Sequence, residues 1–323
     1  MMPCPIRLSG VGMACSRANG GQPADSFANR LSAILSALPR GLSPVRLVHP
    51  LEEMALLAAC EALTRGGIRL PVGGDTVGMV FGVEEGIDGI KARHYAGILR
   101  DGPLGASLIT FPLTAPNTVA ARISILLDIR GESVTVCGGS LSGAQAIGLA
   151  VDTLRQGKCR AVLAGGVTSV EDEFLHAMHR LGQPDSGPVR SGACLLLLEA
   201  EVSGTSGAIE ILGYGEGFGP EAVRNAVQCC LEDAQILPGQ IAWIQVVGSG
   251  RDAQLLSGTL RRMVVNAPIV QSPESDLYSA AFPMAVADAS TQVANGNEEP
   301  VLVVGTDCLA GASSVLLCRG AQG

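Results

Sequence analysis

The sequence predicts an α/β protein of five layers, α/β/α/β/α, assembled from two copies of one strand–helix pattern. Three observations lead there. Strand-like and helix-like stretches alternate along the 323 residues, which implies parallel sheets covered by helices. The alternation runs through one order twice: Arg160-Ala-Val-Leu-Ala-Gly-Gly166 and Pro300-Val-Leu-Val-Val-Gly-Thr306 are each followed by a second apolar strand. Each copy also holds one helix so rich in small and apolar residues that it belongs inside the protein.

The first copy occupies residues 1–202. Its strand at 6–10 precedes a helix at 51–65 that ends in Gly66-Gly67-Ile68, and a strand at 76–82 follows. A helix at 116–127 leads to the β-branched strand Ser133-Val134-Thr135-Val136-Cys137, then to a buried helix at 141–156 closed by Gly157. Strands at 160–165 and 193–199 complete it. The second copy, 203–323, begins after the joint at 202–207. Its strand at 208–212 and helix at 221–234 are followed by a strand at 241–247 and a helix at 253–263. A strand at 268–271, an alanine-rich helix at 279–294, and strands at 301–305 and 313–318 finish the chain. The Pro, Gly and Ser clusters fall in 20–44, 84–107 and 170–191, read as loops and short helices over one edge of the core.

Composition narrows the function. The chain is 47% apolar and 16% charged, with positive mean hydropathy, ample for a large shared core. The longest apolar run, Ala193 to Leu198, is far short of a membrane span, and no secretory signal opens the sequence. The ten cysteines are scattered without metal-finger spacing, which favours reduced buried thiols, no metal and a cytoplasmic setting. A net charge of −8 with 3% aromatic residues argues against nucleic acid and against an anionic membrane surface. A strongly acidic partner such as an acyl carrier protein would also gain little by docking mainly here.

The chemistry-bearing stretch is 130–157. Gly138-Gly139 make a tight turn between strand and buried helix, so Ser140 stands at a strand-to-helix elbow beside the positive end of a helix dipole. Such a serine is either a nucleophile or a capping or spacer residue. A hydroxyl needs a base to act, and all four histidines (49, 94, 176, 179) lie in the first copy. Cys137 reads as a core thiol inside its strand. Gly213-Tyr-Gly215-Glu-Gly217-Phe218 lacks the third glycine of a dinucleotide loop, so no cofactor is implied. Gly138-Gly-Ser140-Leu-Ser142 lacks the spacing of a hydrolase elbow. The acidic pairs at Glu84-Glu85, 171–173 and Glu298-Glu299 read as solvated loop charges.

A series of pieces, in order, resembles the β-ketoacyl synthases, which have the thiolase fold: Gly10-Val-Gly12, Pro112-Leu-Thr-Ala-Pro-Asn117, Arg130 to Val136, Gly157 to Gly166, Ser191 to Glu199, Gly248-Ser-Gly-Arg-Asp252 and Ala310 to Leu317. In that family a cysteine at the elbow takes the acyl group, and two second-half histidines assist decarboxylation and condensation. Here the elbow position is Ser140. The run that the first histidine opens reads Val247-Gly-Ser-Gly-Arg251, and the pair that holds the second reads Ser275-Asp276. The gating loop is altered to Asp307-Cys-Leu-Ala-Gly311.

The resemblance therefore implies a degenerate member like the chain-length factors, with Ser140, Val247 and Asp276 at inactive positions. Such subunits pair with an active ketosynthase in type II polyketide or fatty-acid-like pathways. The short chain resembles the partner subunits of polyene-making systems, aryl polyenes among them. By the same analogy the strand Ser133, Val134, Thr135, Val136, Cys137 pairs between subunits. Thr110, Phe111 and Pro112 would reach toward the partner's acyl tunnel, and the acyl carrier protein would dock on that partner. Two other readings stay open: an acyltransferase using Ser140, and a homodimeric ligand-binding protein.

Overall fold

The computed structural model describes residues 6–15, 25–37, 47, 49–84, 87–171, 180, 190–200, 208–248, 250–264, 267–273, 277–296, 299–307 and 311–319. The first repeat holds β1 (Ile6–Cys15), α1 (Asp25–Ala37), α2 (Pro50–Arg65), β2 (Val77–Val83), α3 (Asp88–Asp101), α4 (Thr118–Leu127), β3 (Ser133–Val136), α5 (Ser142–Arg155), β4 (Ala161–Thr168) and β5 (Gly192–Ala200). The second holds β6 (Ile209–Phe218), α6 (Ala222–Ala234), β7 (Trp243–Val247), α7 (Gly250–Met263), β8 (Ile269–Gln271), α8 (Ala281–Ala294), β9 (Val301–Thr306) and β10 (Gly311–Arg319).

The strands hydrogen-bond in the order β3-β2-β4-β5-β1-β6-β10-β9-β7-β8. Read outward from the centre, β1-β5-β4-β2-β3 and β6-β10-β9-β7-β8 are one pattern. In each half the outer pairings are parallel and the inner ones antiparallel. The halves meet through a short antiparallel ladder, Ile6 to Leu8 against Ile211 to Ile209. This puts β3 and β8 at the two free edges.

Helices complete the five layers. One apolar cluster joins α2 and α4 to the outer face of the first five strands, with Leu51, Leu56, Leu57 and Leu63 fully buried. A second joins α6 and α7 to the outer face of the other five. The largest cluster lies between the half-sheets and is built on α5 and α8. Complete burial of a leucine is worth about 1.5–3 kcal/mol, so these layers carry most of the stabilisation. β4 is buried along its whole length because both of its faces are covered, hence its unbroken apolar sequence.

Glycine sets the spacing between outer helix and strand in both halves. A Cβ on Gly10 or Gly12 would strike the carbonyls of Ala62 and Ala58 in α2, and one on Gly213, Gly215 or Gly217 those of Cys230, Ala226 and Ala222 in α6. The stretch from 213 to 218 is accordingly part of β6, not a loop after it; the sequence reading ended that strand at 212. Two of the segments expected to be irregular contain helices of 13 and 14 residues, α1 and α3. Most of the third, 172–189, lies outside the described residues. No helix among the described residues is long and apolar enough to cross a membrane.

Candidate functional site

β3 ends at Val136, and Gly138 and Ser140 form an isolated bridge around Gly139, whose φ of 74° suits glycine. The helix begins at Ser142, with Leu141 at the cap position and no side-chain cap. Ser140 is half-buried and makes no side-chain hydrogen bond to the described residues, so it is not the cap. That tying role falls to Ser142, which sequence reasoning passed over. Its fully buried hydroxyl accepts the Gly138 N–H at 2.9 Å and donates to the Gly139 carbonyl at 2.5 Å. Gln145 lies directly against Gly138. Ser142 and Gln145, the two polar residues before Val151 in this helix, were the available signal, and both lie at the turn.

Cys137 is a correction. It lies just past β3 and is exposed, because the strand stops one residue before it. Partial burial at the sulfur raises its pKa against the opposing pull of Lys91. A thiol so shifted holds little thiolate at neutral pH, and it is neither a core thiol nor an activated nucleophile.

Across the middle layer, Leu141 packs against Gly305 and Gly311. Val247, 7% exposed at the end of β7, belongs to the same apolar cluster as Leu141, Leu277 and Phe282. Asp276 lies outside the described residues; its neighbour Leu277 is fully buried in that cluster. The turn after β9 is held by Asp307, whose carboxylate accepts the Gly311 N–H at 2.8 Å, and by Thr306, whose hydroxyl donates to the Gly311 carbonyl at 2.9 Å. Leu141 of the elbow and Val247 at the end of β7 thus both belong to the middle apolar cluster.

The two described histidines are engaged elsewhere. His49 caps α2 by accepting the Leu51 N–H at 3.1 Å through Nδ1, and its Nε2 pairs with Glu171. Glu171 also accepts the Gly89 N–H. Burial raises its pKa, but the His49 and Gly89 bonds with the nearby His49 and Arg93 charges outweigh this and leave it lowered. Glu171 is therefore a tied, half-buried carboxylate, not the solvated charge that its acidic neighbours suggested. His94 is buried on α3, its Nδ1 3.0 Å from Thr110 Oγ1, with its ring between those of Tyr95 and Phe111. His176 and His179 lie outside the described residues. Among the described residues no three His, Cys, Asp or Glu side chains converge as a metal site.

The residues expected to face a partner lie on open surface. β3 is an edge strand, with Ser133 exposed and Val134, Thr135 and Val136 partly buried. Phe111 and Pro112 open a 3-10 turn, Phe111-Pro-Leu-Thr114, which α3 and α4 contact; Phe111 is 65% exposed. Tyr95, Leu99, Leu104, Leu108 and Ile109 are exposed around it. α5 is not covered all round as its composition predicted, for Leu149 and Asp152 are open to solvent.

Residues 40–191 match the family model for the N-terminal domain of β-ketoacyl synthases. Nodulation protein E of Rhizobium leguminosarum bv. trifolii is 26% identical over 275 residues, 75% of this chain and 67% of the relative. Two further nodulation E proteins, from Rhizobium sp. (strain N33) and Rhizobium meliloti, are covered over 56% of their length. A spectinabilin polyketide synthase system protein of Streptomyces orinoci is 30% identical over 185 residues, 7% of its length. Among solved structures, the ishigamide ketosynthase/chain length factor superposes with a TM-score of 0.74 at 19% identity, over 98% of this chain and 99% of that one. A ketosynthase in complex with its chain length factor from Xenorhabdus doucetiae gives 0.70 at 16%, over 98% of both. Residues 40–191 thus resemble the N-terminal domain of β-ketoacyl synthases in sequence, and nearly the whole chain has the fold of the ketosynthase structures.

Proposed function

We propose that this chain is a non-catalytic, chain-length-factor-like subunit that pairs with an active ketosynthase. One observation carries the reading: the positions where this family places its thiol and two imidazoles hold Ser140, Val247 and Asp276. Val247 belongs to an apolar cluster with Leu141, Leu277 and Phe282, and such side chains neither take up a proton nor donate to a carbonyl. A serine there has no base to activate it. Loss of a malonyl carboxylate also needs donors for the enolate oxygen that develops, and hydrocarbon supplies none.

The partner then brings the cysteine and histidines and receives the acyl carrier protein. This chain extends the partner's sheet through β3 and shapes the floor of its acyl tunnel through Thr110, Phe111 and Pro112. A free edge strand and a run of exposed apolar side chains over 95–111 are what such a surface requires. An interface of this kind should bury on the order of 2,000 Å² or more. The product class fits polyketide or fatty-acid-like chains, with polyenes as the narrower reading.

The test uses the purified chain and an active ketosynthase from the same source. By itself the chain should neither elongate an acyl-carrier thioester nor gain acyl mass. Co-expressed, the two should elute as a one-to-one complex that condenses. Acylation of the lone chain that disappears in Ser140→Ala would establish the acyltransferase instead. A stable self-dimer that ignores the ketosynthase would establish the homodimeric reading. Ala at 110 or 111 in the complex should change product length, and an unchanged length would remove these residues from the tunnel.

A further inference from the structure

The open face of α5 borders a cavity of about 640 Å³ that runs from Val136 of the edge strand, along Leu149 and Asp152, to β6 and α6. Its polar lining is unbalanced. Three carboxylates, Asp152, Glu216 and Asp233, face it against one guanidinium, Arg155. Arg155 is committed to Asp233, with both carboxylate oxygens 2.9 Å from Nη1. Asp233 also accepts the Tyr214 N–H at 3.1 Å, and the Tyr214 hydroxyl donates to Glu216. Tyr214 cannot withdraw, because its ring lies against Gly148 of α5 where any Cβ would collide with it. Asp152 is exposed at the rim. The cavity is a fixed acidic pocket, and its upper wall is the strand expected to pair between subunits.

We infer that the partner subunit inserts a lysine or arginine side chain into this pocket, where it meets Asp152 and Glu216. This deepens the proposed function and rests on it. The occupant follows from charge and continuity. Carboxylates exceed cations, so a cation gains Coulomb energy there and an anion does not. The pocket adjoins β3, so the chain that pairs with that edge is the one placed to fill it. A side chain with an aliphatic stem also suits the Leu149 and Val136 side of the opening.

The experiment measures Kd for an active ketosynthase from the same source, at low and high salt. The variants are Asp152→Asn with Glu216→Gln, and Glu232→Gln on the outer face of α6 as a control for net charge. Thermal unfolding of each variant checks its fold. The double variant is expected to bind about tenfold or more weakly and to lose part of the salt dependence. The control should bind as wild type does. Wild-type binding that the double variant leaves unchanged overturns this inference and leaves the heterodimer standing. Failure of the wild type to bind overturns both. Self-association of the lone chain that the double variant abolishes identifies a second copy as the occupant, and also refutes the inference.

Discussion

Replacing Gly166 by alanine should loosen the joint that sets the elbow against the second half. An added Cβ would lie 1.7 Å from the Ser279 carbonyl oxygen and 2.3 Å from its carbon. Gly143 of α5 approaches the same oxygen, with a Cβ distance of 1.9 Å, so the peptide is squeezed from two layers. It cannot swing aside freely, because the Ser279 hydroxyl is bonded to the Val167 carbonyl at 2.8 Å. Restoring van der Waals separation needs a shift of about 1.5 Å at the start of α8, in an interior packed as densely as a crystal. That puts the cost near the upper end for overpacking, about 3 kcal/mol. For a chain of this size it lowers Tm by about 6 °C. Gly258→Ala in α7 is the counterpart, since nothing lies within 4 Å of its Cβ. There the better helix propensity should raise stability by about 0.5–1 kcal/mol. Calorimetry of both variants decides the matter. A Gly166→Ala protein that melts with the wild type would mean that the three layers are not in contact there.

Glu52 is fully buried and pairs with Arg122 at 2.8 Å, joining α2 to α4. Glu52→Ala strands a cation and should cost about 3–5 kcal/mol by urea titration, while Glu52→Met with Arg122→Met should cost much less. Because the folded pKa of Glu171 is lowered, its contribution to stability is present above its ordinary range near 4.5 and lost as pH falls through the folded value. Unfolding midpoints of wild type and Glu171→Gln should therefore differ at neutral pH and converge in acid; a gap that persists in acid would refute this. Burial, with Glu216 beside it, holds the Tyr214 phenol well above the usual range, so in ultraviolet titration Tyr214→Phe should remove a phenol that ionises only in strong alkali. Under native conditions a thiol reagent should modify Cys15, Cys137 and Cys229 and spare Cys60, Cys194 and Cys230. Rapid loss of the buried thiols would contradict the layering.

The repeat was legible because both copies must solve the same packing problem, and similar problems leave similar residue patterns. Strand order and pairing sense were not, since neither periodicity nor composition says which neighbour a strand takes. Errors at element ends have local causes. Glycines at 213, 215 and 217 look like a loop when their close approach to α6 is unknown, and Cys137 looks like core when the end of the ladder at Val136 is unknown. At the site, the identities of Ser140 and Val247 were plain, yet the contacts around the elbow and the neighbouring turns were not. The Asp307 bond to Gly311, the Ser142 bonds at the turn and the Glu171 link to His49 all join residues through folding.

Close packing around the elbow explains why its shape does not depend on the side chain at 140. What positions the elbow is small residues packed close to their neighbours: Gly82 on the Ser142 backbone, Gly143 and Gly166 on the Ser279 carbonyl, Gly305 on the Phe282 ring. None of these contacts uses the side chain at 140 or 247. The side chain at 140 is half-buried and can change with little effect on the architecture, whereas the supporting glycines cannot. Val247 is different, being 7% exposed within the middle apolar cluster. Val247→His would bury an imidazole among apolar side chains and should cost about 1–3 kcal/mol by urea titration, while Ser140→Cys should melt with the wild type. A Val247→His protein as stable as the wild type would show that polar partners reach that position.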